Sequence, residues 1–302
     1  MKNLSCFILL FFVACSSNKQ MNASKADSPV SGFDKQGHRG CRGLMPENTI
    51  PAMLKAIDLG VTTLEMDIAF TKDRVAILSH EPFFNHEITT MAGGKFIDEK
   101  DERKFNIFQM SFDETQQYDV GLKPNPRFPN QQKIKTTKPS FASMVDSVEN
   151  YLSLHQLTKV NYNIETKTNP LTDNIYHPAP PEFVAELMKL IKSKGIEKRV
   201  IIQSFDFRTL QIIHKDYPGI KTAMLIDAAD KRTLTTQLEA LGFVPTIYSP
   251  AYSLITRELI NACHAKQIKV IPWTINDEPT ISNLKNLGVD GIISDYPNLF
   301  ND

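Results

Sequence analysis

From residue 35 to the C-terminus the chain alternates short apolar runs with amphipathic stretches of helical period, and this alternation restricts the fold more than any other feature. The strand-like runs are 35–38, 62–68, 75–79, 160–165, 200–204, 221–226, 246–249, 269–274 and 291–294. Helical patterns occupy 49–59, 141–154, 181–194, 207–217, 233–241, 256–266 and 278–287. Asn48 before Thr49 and Pro181 in a first turn mark helix starts, while Gly60, Gly195, Gly242 and Gly288 stand where helices stop. Repeated βα units predict a parallel sheet covered by helices. No GxGxxG or GxxxxGK(S/T) follows the first strand, which removes the commonest nucleotide-binding open sheets. Eight or nine strands, several of them ending in chemistry-bearing residues, instead predict a TIM (β/α)8 barrel of the α/β class.

The surplus strand falls within 62–79, where Thr71, Lys72, Asp73 and Arg74 leave no room for a helix. The barrel is therefore expected to be irregular near strands 2–3. Residues 81–139, rich in Pro, Asn, Gln and Lys, break the alternation and read as a long insertion after the His80 strand. At the catalytic face of a barrel, such an insertion shapes the substrate entrance; the alternative is a loose surface excursion.

The barrel domain is assigned to 35–302, and the residues before it carry an address. Lys2 precedes an apolar run over 7–14, too short to span a membrane and suited to a signal-peptide core. The run ends on Ala14-Cys15-Ser16, similar to a bacterial lipoprotein signal, although Phe12 stands where leucine is usual. Residues 1–14 are expected to be removed, Cys15 to carry lipid, and polar 15–34 to form a flexible tether. The product would be an exported lipoprotein, periplasmic or anchored to the outer membrane. Cys41 and Cys263 are then the remaining cysteines, too far apart in sequence for a disulfide framework, and Cys41 reads as packing rather than as a nucleophile. The 34 basic residues balance 34 acidic ones, which gives no electrostatic reason to expect a nucleic-acid partner.

The chemistry concentrates at strand ends. Glu65 and Asp67, two apart on a strand, face the same side. In a barrel that side is the packed interior, where unpaired carboxylates are severely destabilising. A divalent cation removes the problem: hard oxygens suit Ca²⁺ or Mg²⁺, and Glu165 completes a three-carboxylate site. A buried ion-pair layer with Arg39 and Lys167 is the alternative. His38 and His80 each end a strand, and one can act as base while the other acts as acid. The other histidines (86, 155, 177, 214 and 264) lack such context and are expected at the surface. Arg39 and Lys167 supply positive charge for a phosphodiester. Trp273 lines either the apolar or glycerol end of a substrate, or simply the barrel rim.

HRG (38–40), PENT (46–49), ExD (65–67), the TKD turn before His80, NIETK (163–167), QSFD (203–206), PWTIN (272–276) and GVDGIISDYP (288–297) occur in that order. Together they resemble the glycerophosphodiester phosphodiesterase family, over about residues 35–300. The resemblance implies a TIM-barrel hydrolase that splits glycerophosphodiesters into sn-glycerol 3-phosphate and an alcohol. It implies a divalent cation at Glu65, Asp67 and Glu165, catalysis by His38 and His80, and phosphate contact by Arg39. It further implies two steps: the glycerol 2-hydroxyl attacks phosphorus, and water then opens the cyclic phosphate with the histidine roles exchanged. One position departs from the pattern, for Glu81 follows His80 where the family usually has Asp. The rival readings are a phospholipase C- or D-like barrel acting on intact lipids, expected to show an exposed apolar rim, and a non-catalytic lipoprotein that binds a phosphorylated ligand.

Overall fold

The central strands are buried at every position, so alternation decides only whether a side chain faces the helices or the barrel interior. The computed structural model describes residues 32–300; the leader, Cys15 and the tether up to residue 31 lie outside them. In chain order the elements are β1 (Asp34–Gly37), α1 (Ile50–Asp58), β2 (Thr63–Phe70), β3 (Ala76–Leu78), α2 (Phe112–Thr115), α3 (Phe141–Leu154), β4 (Asn161–Thr166), α4 (Pro180–Ser193), β5 (Val200–Ser204), α5 (Phe207–Asp216), β6 (Lys221–Ile226), α6 (Leu234–Leu241), β7 (Ile247–Pro250), α7 (Arg257–His264), β8 (Lys269–Val270), α8 (Glu278–Leu287) and β9 (Gly291–Ser294). Leu64, Met66 and Ile68 of β2 enter the layer between sheet and helices, where Met53, Phe141, Tyr162, Phe183 and Ile202 also lie. The intervening Glu65 and Asp67 therefore point the other way, into the barrel.

The parallel strands run in the order β8-β7-β6-β5-β4-β2-β1-β9, with β3 antiparallel on β2. Hydrogen bonds from Asp290 N to Val270 O (2.9 Å), Ile293 N to Pro272 O (3.0 Å) and Ile275 N to Ile293 O (3.1 Å) join the two ends and close the ring. This is the expected TIM (β/α)8 barrel, and β3 is the surplus strand beside the short 71–74 turn. The strand expected over 269–274 is regular only at Lys269–Val270. Pro272 has no N–H to give the ladder, although Ile271 and Trp273 still donate to Tyr248 and Pro250 at 3.1 Å each.

Register then decides which side chains meet. Glu65 lies opposite Asn163 and Asp67 opposite Glu165; Glu165 lies opposite Gln203 on β5. Acidic and amide groups thus line one half of the interior, while Ile201, Ala223, Ile247, Ile271 and Ile293 fill the other.

Residues 81–139 form an ordered excursion with a core of their own. Phe84, Ile88, Ile97, Ile107 and Val120 pack against Ala69 and Ile77, and Phe84 stacks on Tyr118 at 4.3 Å. The excursion reaches back to the loop after β1, where Gln131 donates to the Arg42 carbonyl (2.5 Å).

Candidate active site

Glu65, Asp67 and Glu165 are all buried, and one carboxylate oxygen from each lies within 4.8 Å of the other two. The ion pairs of the alternative reading do form: Arg39 Nε stands 3.3 Å from Asp67, and Lys167 Nζ 2.7 Å from Glu165. They do not finish the job. The Arg39 guanidinium gives its shortest contact, 2.8 Å, to Glu47. Glu65 receives only uncharged donors, the Arg39 N–H and Gln203 Nε2, each at 2.7 Å. Asp67 Oδ1 is buried without a hydrogen bond. Burial, and then the Asp67 charge, push the Glu65 carboxyl well above the usual range. Burial also drives the Glu165 carboxyl up. For Asp67 burial is again the largest influence and acts in the same direction, but Arg39, His80, Lys167 and the Asn48 hydrogen bond together outweigh it and hold that group low. A buried, oxygen-only cluster with an orphan lone pair and excess negative charge fits a hard divalent cation.

The loop after β1 turns sharply at Arg39 (φ 49°) and Gly40 (φ 85°). A Cβ at Gly40 would meet the Ala52 backbone, so helix α1 packs directly on this turn. The turn aims His38 across the barrel mouth: Nε2 lies 4.0 Å from Glu65, and Nδ1 lies 2.6 Å from Asp295, just beyond β9. Burial, followed by the Arg42 guanidinium, pushes the imidazole down to about 4 against the opposing pull of Asp295. His38 is therefore neutral at pH 7, and its proton belongs on Nδ1, where the carboxylate can only accept. That leaves the Nε2 lone pair free. His80 is more open, and its Nδ1 lies 2.7 Å from Glu81, so the longer acid still reaches the ring.

His38, Arg39, Glu65, His80, Glu165 and Trp273 line a single cavity of about 130 Å³. Lys167 lies behind it, on Glu165 and 3.8 Å from Asp67. Trp273 is fixed at the rim by its Nε1–H bond to the Ser249 carbonyl (2.9 Å) and by an edge contact with Phe205 (5.6 Å). Every site residue expected from the sequence thus gathers at one mouth of the barrel.

The glycerophosphoryl diester phosphodiesterase family matches residues 38–299. The chain belongs to that family. A glycerophosphodiester phosphodiesterase of Bacillus altitudinis is 30% identical over 86% of this chain and 93% of its own length. A solved Silicibacter pomeroyi structure with the same family description is 26% identical, covers 89% of this chain and 92% of its own, and superposes with a TM-score of 0.78. A phosphodiesterase of Oleispira antarctica, solved in complex with the product sn-glycerol-3-phosphate, shares the fold (TM-score 0.67, 21% identity, 87% and 93% covered). Membership makes the chain a phosphodiesterase.

Around this diesterase site several groups escaped sequence reasoning. Asp295 accepts from His38, from Arg42 Nε (2.6 Å) and from Asn276 Nδ2 (2.7 Å). Glu47 neutralises Arg39, and Asn48 bridges to Asp67 through its amide (2.8 Å). All but Arg42 lie inside the motifs that carry the resemblance, and an acid directly after a strand, as at Asp295, was the available signal. One expectation was wrong: His177 is buried, not superficial. Its ring accepts from the Asn169 N–H (3.0 Å) and donates to the Pro178 carbonyl (2.9 Å), which braces the loop after β4. Cys41 is fully buried, and burial raises its thiol to about 12, so it has no nucleophilic role.

Proposed function

We propose that the protein hydrolyses small glycerophosphodiesters to sn-glycerol 3-phosphate and an alcohol, with His38 as first base and His80 as first acid. The observation that carries this is one cavity lined by both histidines, two of the three clustered carboxylates and Arg39. Glu65, Asp67 and Glu165 would hold a divalent cation, Ca²⁺ or Mg²⁺, which when bound supplies Lewis-acid polarisation and neutralises phosphoryl charge.

The residues divide the remaining work. His38 Nε2 takes the proton of the glycerol 2-hydroxyl while that oxygen bonds to phosphorus. The bond from phosphorus to the alcohol oxygen breaks, and His80 gives that oxygen its proton. In the second step His80 takes a proton from water, the water oxygen bonds to phosphorus, and His38 returns its proton to the glycerol oxygen as the ring opens. Asp295 keeps His38 in the required tautomer, and Glu81 fixes the orientation of the His80 ring through Nδ1. Arg39 offsets phosphoryl charge from the cavity wall, and Lys167 adds to it from behind Glu165.

The cavity is small, and His38, Arg39, Arg42, Glu65, His80 and Glu165 give it a charged wall that favours a water-soluble diester over an intact lipid; Phe205, Leu225, Trp273 and Ile293 supply its apolar surface. The product named for the Oleispira antarctica neighbour agrees with this reading. The direct test is turnover of glycerophosphocholine, glycerophosphoethanolamine and intact phospholipid by purified protein, with Ca²⁺ and Mg²⁺ compared. Turnover of the lipid alone would move the reading to the phospholipase class.

A pH dependence follows from His38. Its neutral form is the base, and its pKa is lowered to about 4, so the base is lost only as pH falls through about 4 rather than through 6.5. With metal kept saturating, kcat/KM is expected to show no acid limb from this residue between pH 5 and 7. A fall centred near 6.5 that disappears in Asp295→Asn would contradict the assignment.

We also propose export as a lipoprotein anchored through Cys15, on the strength of the apolar run that ends at Ala14-Cys15. Cys15→Ser is expected to release the protein from the membrane fraction and to abolish incorporation of labelled palmitate. A soluble wild type with no label would remove the anchor.

A further inference from the structure

Beyond His80 the catalytic cavity opens into a second groove, of about 340 Å³, between the 81–139 excursion and the loop after β4. His80, Glu165 and Phe205 line both spaces, so the groove begins on the side of the proposed acid. A diester whose glycerol lies in the inner cavity must send its alcohol half that way. Both walls are braced: Asn106 donates to the Ile175 carbonyl (2.8 Å) across the gap, and buried His177 holds the 169–178 loop from within.

The charges in the groove are mostly committed. Glu81 is taken by His80, and Lys167 by Glu165. Arg103 is different. Its guanidinium lies over the Phe83 ring, 5.5 Å from the centroid, and Phe83 in turn meets the Tyr176 edge at 6.2 Å. Among the described residues it has no carboxylate or carbonyl partner, whereas Arg39, Arg42, Arg74, Arg127, Arg199, Arg208 and Arg232 each have a carboxylate. A planar donor fork stacked on an aromatic face, with its N–H edges unclaimed, is suited to an oxyanion.

We propose that this groove binds the alcohol half of the diester and that Arg103 there selects alcohols bearing an anionic oxygen group, a carboxylate or a further phosphate. The proposal rests on the diesterase reading above. A quaternary ammonium is disfavoured because it would face the Arg103 charge, and because the Phe83 face it needs is already covered.

The test compares kcat/KM for glycerophosphoserine and for glycerophosphoglycerol phosphate with that for glycerophosphocholine, in wild type and in Arg103→Ala. The two anionic substrates separate a carboxylate source from a phosphate source. Their advantage over the choline diester is expected to fall about threefold to fivefold in the variant, mainly through KM, as for one charge-assisted contact at an exposed site. Arg103→Lys should restore part of it, and Arg103→Glu should reverse the preference. If wild type turns over these diesters and the ratios do not change in Arg103→Ala, the selecting role is overturned. If no diester is turned over, the reading of the catalytic cavity fails first, and the groove loses its meaning with it.

Discussion

Replacing His38 with alanine is expected to lower kcat by about 10²–10⁴-fold at saturating substrate and metal, the usual worth of a positioned proton-transfer group. The basis is geometric. Nδ1 is fixed by Asp295 at 2.6 Å, Nε2 is left facing the cavity, and burial keeps the ring neutral at working pH. The fold should tolerate the change, because Asp295 keeps Arg42 and Asn276 as donors. Circular dichroism with a melting curve separates loss of chemistry from loss of structure. His80→Ala should lose turnover to a similar degree, but with a signature of its own: a substrate whose leaving alcohol is already acidic, such as a nitrophenyl diester, needs little protonation. That substrate should recover much of the rate in His80→Ala and none in His38→Ala. Wild-type turnover by His38→Ala would end the acid/base assignment, and rescue in the opposite variant would exchange the roles.

The second large effect concerns the carboxylates. Chelation is expected to abolish turnover and lower the melting temperature, since ligand at a hundred times its Kd stabilises a fold by about 2.7 kcal/mol. Glu65→Gln keeps the side-chain volume and removes one hard ligand from the cluster. Metal affinity should fall by more than the roughly 10–100-fold that loss of an outer partner costs. Metal-free Glu65→Gln should nevertheless melt close to metal-free wild type. In the absence of a cation, burial and the Asp67 charge penalise ionised Glu65, and an amide removes that strain; against this, its nitrogen cannot accept from one of the two donors, the Arg39 N–H or Gln203 Nε2, that the carboxylate serves. The same shift gives metal binding a sign with pH. The raised Glu65 carboxyl must lose its proton to bind, so affinity should weaken as pH falls. Calorimetry with Ca²⁺ and Mg²⁺ reads all three quantities. Full affinity in Glu65→Gln would place the cation elsewhere.

The histidines, acids and cations of the site were readable because they sit where apolar runs stop, and strand ends in a barrel share one rim. The partners that give them distinct roles were not. Asp295 meets His38 across 257 positions of chain, a pairing made when β9 comes to lie beside β1. Gln203 reaches Glu65 only because β5 follows β4 in the sheet. His177 looked superficial because its segment is polar, yet the ring is what that polar loop folds around.

Sequence alone settled the alternation of elements, the inward side of Glu65 and Asp67, and the kind of atoms offered to a ligand. Those follow from backbone periodicity and side-chain chemistry, which are local. The tertiary structure decided that Asp67 stands beside Glu165 and that His38 is neutral, with its proton held away from the cavity. It also decided that a groove with an uncommitted arginine continues from the acid. Register, ring closure and burial set these, because a side chain's charge state and partner depend on neighbours that only a closed sheet brings together.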